Sequence, residues 1–180
     1  LVMTQDGNMG VDKKWLFTKY DQYGRAVYTG IYLSTQTSGS PGRNSEQGNL
    51  NGKGSNNVAR TSSSEFTAPG LPVYYDNDAA KNYPNTFQTV LSVNYYDTYP
   101  TQAPAIPPPI LGQNLLGQNA QTSLVSTKSL PLASYVKNLG SSAWTKSFIW
   151  YDTKGRPIGT HTINHLGGFT KTETELDFTG

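Results

Sequence analysis

Tyr20-Asp21-Gln22-Tyr23-Gly24-Arg25 and, far downstream, Tyr151-Asp152-Thr153-Lys154-Gly155-Arg156 share one pattern, Tyr-Asp-x-x-Gly-Arg. Each copy has a phenylalanine three positions before its tyrosine, Phe17 and Phe148, and an alternating apolar run after its arginine. The spacing specifies a chain reversal. Asp opens a type I turn in which its carboxylate accepts backbone N–H groups further along, and two residues then take right-handed angles. Glycine supplies the positive φ that returns the chain through a G1 bulge. Tyr and Arg flank the turn on opposite strands, placed to stack or hydrogen-bond across the hairpin.

Working outward, residues 13–33 interleave Trp15, Phe17 and Tyr20, then Val27, Tyr28, Ile31 and Leu33, with polar residues. Segment 1–33 therefore reads as a first hairpin. Segment 143–180 repeats the logic, with Trp144, Phe148, Trp150 and Tyr151 before its turn and Ile158, Thr160 and Thr162 after it, followed by a Thr-rich run from Phe169 to Phe178. Between them, 34–85 reads as a polar loop or insertion: as far as Pro72, Leu50, Val58, Phe66 and Leu71 are nearly the only sizeable apolar side chains. So little apolar area does not offset backbone ordering at about 1 to 2 kcal/mol per residue. Segment 86–142 reads as irregular strands, with a strand over 86–96, a weaker candidate over 121–128, and a stiff connector built on Pro100, Pro104, Pro107, Pro108 and Pro109. No stretch carries a capped apolar stripe of helical period, so the expected class is all-β, with antiparallel hairpins.

Composition narrows the function classes. Charged residues make up only 14% of the chain and the net charge is +2, without a basic stripe to track a phosphate backbone, so nucleic acid is not an expected partner. An aromatic content of 12%, twelve of those residues being tyrosines, sets the chain apart from disordered sequences and suits half-wet β-surfaces. Cysteine is absent, which excludes disulfides and thiolate metal sites. No apolar run approaches the roughly 20 residues of a membrane-spanning helix, so no membrane insertion is expected. The opening residues lack the charged head and apolar core of a signal peptide, so the sequence is expected to start in mid-protein or in a mature form.

Tyr-Asp-x-x-Gly-Arg followed by an alternating strand is the hallmark of YD repeats, and the chain resembles the RHS/YD-repeat proteins of Bacteroidetes-type bacteria. The resemblance lies in residues 15–30 and 151–171, with a further likeness at Val93-Asn94-Tyr95-Tyr96-Asp97-Thr98-Tyr99. It implies hairpins that coil into a spiral sheet, a shell able to encapsulate a C-terminal toxin, in a protein exported or displayed at the bacterial cell surface. Its implied partners are the remainder of the same repeat protein, an export translocon and the enclosed toxin domain. The structural motif it singles out is Tyr20, Asp21, Gly24, Arg25, Tyr151, Asp152, Gly155 and Arg156. Two departures stand out: the copies lie much further apart than tandem repeats do, and Tyr75-Asp76 and Tyr96-Asp97 lack the following Gly-Arg. The expectation is a fragment of a large polymorphic-toxin scaffold, with no enzyme activity and no cofactor. The alternative is an extracellular carbohydrate- or surface-binding β-module.

Other constellations read as structural. His161 and His165, four apart, would share a strand face as a metal pair does, but no carboxylate lies in the same run and no metal site is assigned. Asp21 and Asp152 as a glycosidase pair are better explained as turn-opening residues. Ser62, Ser63 and Ser64 lack a base and a nucleophile elbow. Gly48, Gly52 and Gly54 lack the strand and helix of a phosphate loop. Trp15, Tyr28, Tyr32, Trp144 and Trp150 could stack on sugars, although cross-strand packing is the simpler use of such rings.

Overall fold

The computed structural model describes residues 2–118 and 125–177. Strand outweighs helix, 38% against 11%, and the pairing is antiparallel throughout, so the protein is all-β. The chain divides into two compact units, Leu1–Val93 and Asn94–Gly180.

In the first unit, β1 (Val2–Thr4) and the short helix α1 (Gly7–Val11) lead into the hairpin of β2 (Lys14–Tyr20) and β3 (Ala26–Leu33). Helix α2 (Gly39–Asn51), a small hairpin of β4 (Phe66–Ala68) and β5 (Leu71–Val73), and β6 (Thr89–Tyr96) follow. The strands run β1-β2-β3-β6, with β4-β5 as a separate pair. Strand β2 alternates as its sequence predicts: Trp15, Phe17 and Lys19 face inward and are buried, while Leu16 is exposed. At the centre, the Tyr28 ring meets Phe17, Phe66, Tyr75 and Phe87 at centroid separations of 5.6 to 6.2 Å. Burial of each large apolar side chain contributes about 1.5 to 3 kcal/mol.

Gly30 makes room for this core. A Cβ there would lie 2.4 Å from the Thr89 carbonyl oxygen and 2.7 Å from the Phe17 ring, at the point where the β3–β6 register shifts. Gly30→Ala should cost about 2 to 3 kcal/mol by overpacking, read as a lower urea midpoint.

Residues 39–51 form a helix, which corrects the reading of 34–85 as loop. The helix is anchored by one buried polar contact set where the sequence offered no apolar stripe. Glu46, 2% exposed, accepts hydrogen bonds from Ser34 Oγ and from the Tyr83 hydroxyl, the latter at 2.5 Å, and Tyr32 OH lies 2.6 Å from Tyr83 OH. Gly42 packs so closely that a Cβ would overlap the Thr37 carbonyl. Burial, reinforced by the Glu46 carboxylate, raises the Tyr83 phenol well above its ordinary range.

In the second unit, β7 (Pro131–Lys137), β8 (Trp144–Tyr151), β9 (Pro157–Ile163) and β10 (Phe169–Glu173) follow one another in space as in sequence. One side carries a row of rings: Tyr95 to Tyr135 at 5.3 Å, Tyr135 to Phe148 at 5.8 Å, Phe148 to His161 at 6.3 Å and His161 to Phe169 at 5.3 Å. The other side carries hydroxyls in register, Ser134 opposite Ser147, Ser147 opposite Thr162, and Thr162 opposite Thr170. Near the second turn, Ile110 packs with Trp150 and Ile158, and Leu116 packs with Leu132 and Tyr151.

Segment 86–142 therefore contains a regular strand, β7, that its leading proline disguises. The candidate strand over 121–128 lies outside the described residues as far as 124, and the rest of it is not strand. Segment 143–180 holds three strands where one hairpin is predicted, with Phe178 outside the described residues. The proline-rich connector contains no strand from Pro100 to Pro109. Among the described residues, no helix is long and apolar enough to cross a membrane.

Candidate functional site

The two Tyr-Asp-x-x-Gly-Arg segments close their hairpins with the same set of bonds. In the first, Asp21 Oδ1 accepts from the backbone N–H of Tyr23 at 2.9 Å and of Arg25 at 3.0 Å, while Oδ2 accepts from Arg25 Nε at 2.7 Å. In the second, Asp152 Oδ1 accepts from Lys154 N and Arg156 N, both at 2.9 Å, and Oδ2 accepts from Arg156 Nε at 2.8 Å. Gly24 and Gly155 take φ of +76° and +78°, and the strand register shifts next to each turn, at Lys19/Tyr20 and Trp150/Tyr151. Arginine thus partners the aspartate that opens its own turn, while the register sets Tyr20 opposite Ala26 and Tyr151 opposite Pro157. The Arg25 guanidinium also lies 5.0 Å from the Tyr23 ring centre. Burial alone would raise the Asp152 carboxyl. The N–H groups and guanidinium around it outweigh burial and hold it below its ordinary value.

A third turn uses the same backbone pattern without the charges. Asn164 Oδ1 accepts from Leu166 N at 2.9 Å and Gly168 N at 3.0 Å, and Gly167 has φ of +84°. Asn164-x-x-Gly167 stands in the sequence beside the second motif. It is missed by a search that requires Asp and Arg, and an Asx-x-x-Gly pattern finds it.

His161 sits in β9 within the aromatic row, its Nδ1 buried, and burial followed by the Lys171 charge lowers its pKa. His165 lies beyond the end of β9 in the exposed third turn, so the two histidines do not share a strand face. Asp21 and Asp152 each close their own turn. Gly48 lies within α2, and Gly52 caps it. The rings of Trp15, Tyr28, Tyr32, Trp144 and Trp150 are at most 8% exposed, so they are committed to packing.

A polar cluster inside the first unit went unread in the sequence. Lys19 occupies the inward phase set by Trp15 and Phe17, directly across from Tyr28, and is fully buried. Its Nζ donates to Oδ1 of Asn82, also fully buried, at 3.0 Å. Burial pushes the amine down to about 7, with the Asp76 carboxyl acting in the opposite direction. Burial also raises Asp76, whose backbone is fixed by a 2.9 Å bond from its N–H to the Ala59 carbonyl. Asn82 is held by its N–H on the Asp78 carbonyl at 3.0 Å. Among the described residues, Asp76 Oδ1, Asn82 Nδ2 and Tyr28 OH are buried without a hydrogen-bond partner. A lysine in the inward phase of an otherwise apolar strand face is the signal that points to this cluster.

No protein-family model, curated protein or solved structure matches the chain.

Proposed function

We propose that the chain is a structural segment of a large secreted or surface protein of the RHS/YD-repeat kind, contributing β-hairpins to a shell able to enclose a C-terminal toxin. The observation that carries this reading is the aspartate clamp, reproduced bond for bond at Asp21 and Asp152 in turns that the resemblance marks as repeat units. Rigid turns of this type suit a protein that builds wall by repetition, because each reversal is fixed locally and needs no neighbour to set its geometry. The remainder of the repeat protein is its first partner, and an export translocon or the enclosed toxin domain its second. The alternative, an extracellular carbohydrate-binding module, draws no support from the five aromatic residues proposed as its platform, since all are used in packing.

Localisation tests the reading. Protease treatment of intact producer cells, with an antibody against this segment, should remove or shorten the native protein while a cytoplasmic marker survives. A native protein protected until the cells are lysed, and absent from the medium, would exclude surface display and secretion.

A further inference from the structure

We propose that Lys19 and Asn82 become joined by an intramolecular isopeptide bond, with Asp76 as the proton-transfer group. The inference stands on the geometry of the first unit and does not depend on the reading above. Nζ of Lys19 already donates to Oδ1 of Asn82 at 3.0 Å, and that oxygen is bonded to the amide carbon the amine attacks. Both side chains are fully buried, Lys19 directly across from Tyr28, so water does not compete for the amide and the amine lacks the hydration that would keep it charged. Three polar atoms around the pair, Asp76 Oδ1, Asn82 Nδ2 and Tyr28 OH, are buried and without protein partners. Such groups are costly in a folded core. Asp76 Oδ1 and Asn82 Nδ2 become intelligible as the proton-transfer group and the leaving group of a reaction.

The step balances without a co-reactant. Neutral Nζ attacks Cγ of Asn82, and the carbonyl π electrons move onto Oδ1. The attacking nitrogen gives one proton to Asn82 Nδ2 through the Asp76 carboxyl, which returns to its starting state. The Cγ–Nδ2 bond breaks, ammonia departs, and a secondary amide joins Nζ to Cγ. The protonation states suit the chemistry. Burial brings the amine to about 7, so a large fraction is neutral near neutral pH, and burial favours the protonated carboxyl of Asp76. In a chain without cysteine the product is a covalent staple between β2 and the segment after β5.

Intact-mass measurement of the full 180-residue chain tests this, combined with a tryptic map. The expected result is a mass lower than the sequence mass by one ammonia, with a single branched peptide containing both Lys19 and Asn82 and no cleavage after Lys19. Lys19→Met and Asp76→Asn, which keep the packing volume, should each restore the sequence mass. Folded wild-type protein at the full sequence mass overturns the proposal. So does a lost ammonia accompanied by normal cleavage after Lys19, since that marks a backbone succinimide. A branched peptide that persists undiminished in Asp76→Asn removes Asp76 from its assigned role.

Discussion

Asp152→Ala is expected to destabilise the second unit by about 3 kcal/mol, because it removes a buried carboxylate that accepts from two backbone N–H groups and from Arg156 Nε. The midpoint of chemical denaturation, with the slope unchanged, measures the loss. Asp152→Asn keeps an oxygen for the backbone and gives up only the charged pairing, so its cost should fall to about 1 to 1.5 kcal/mol. Asn164→Ala, in the exposed third turn, should cost about 1 kcal/mol. Equal losses at positions 152 and 164 would mean that the arginine clamp adds nothing. Acid provides a second reading of the same residue. The folded carboxyl is held below its ordinary value of 3.8, so its contribution is complete above that value and is lost as pH falls through the folded one. Wild-type stability should therefore drop over that acid window, and Asp152→Asn should flatten the drop.

Phe148→Ala should be costlier still, about 4 kcal/mol, since the ring is 1% exposed and stands in the middle of the aromatic row, between Tyr135 and His161. Part of the cost is the cavity left in the row. Phe148→Leu, which refills most of that space, should lose less than half as much. Phe169, at the exposed end of the row and 65% accessible, is the control, and its alanine variant should lose under about 1 kcal/mol. Thermal or urea unfolding of the three variants side by side checks the order. A Phe148→Ala protein as stable as Phe169→Ala would show that the row is decoration on a sheet held by other contacts.

The hairpins were legible because their information is local. Gly24 and Gly155 declare their backbone angles by lacking a side chain, and period-two alternation declares which face of β2 is buried. The helix over 39–51 was not legible, for the opposite reason. Its sequence, with glycines and a proline, favours loop, and its stability comes from Glu46 reaching Ser34 and Tyr83, residues 12 and 37 positions away. Strand β7 was obscured by the proline at its start. The site was legible only in part. The turn residues could be named from their spacing, and so could the role of each aspartate carboxylate. The Lys19 cluster could not, because Asn82 and Asp76 are recruited from a polar stretch in which nothing marks one asparagine or aspartate from its neighbours.

The two-sided dressing of β7 to β10, rings on one side and hydroxyls on the other, also bears on how the molecule avoids error. If β8 zipped up one position out of step, Phe148 and Trp150 would leave the side of the rings and Ser147 and Ile149 would take their places, so a single slip would break the aromatic row at once. A wrongly threaded hairpin therefore has almost nothing to hold it together. It comes apart and tries again, and fidelity during assembly is written into the contrast between neighbouring side chains.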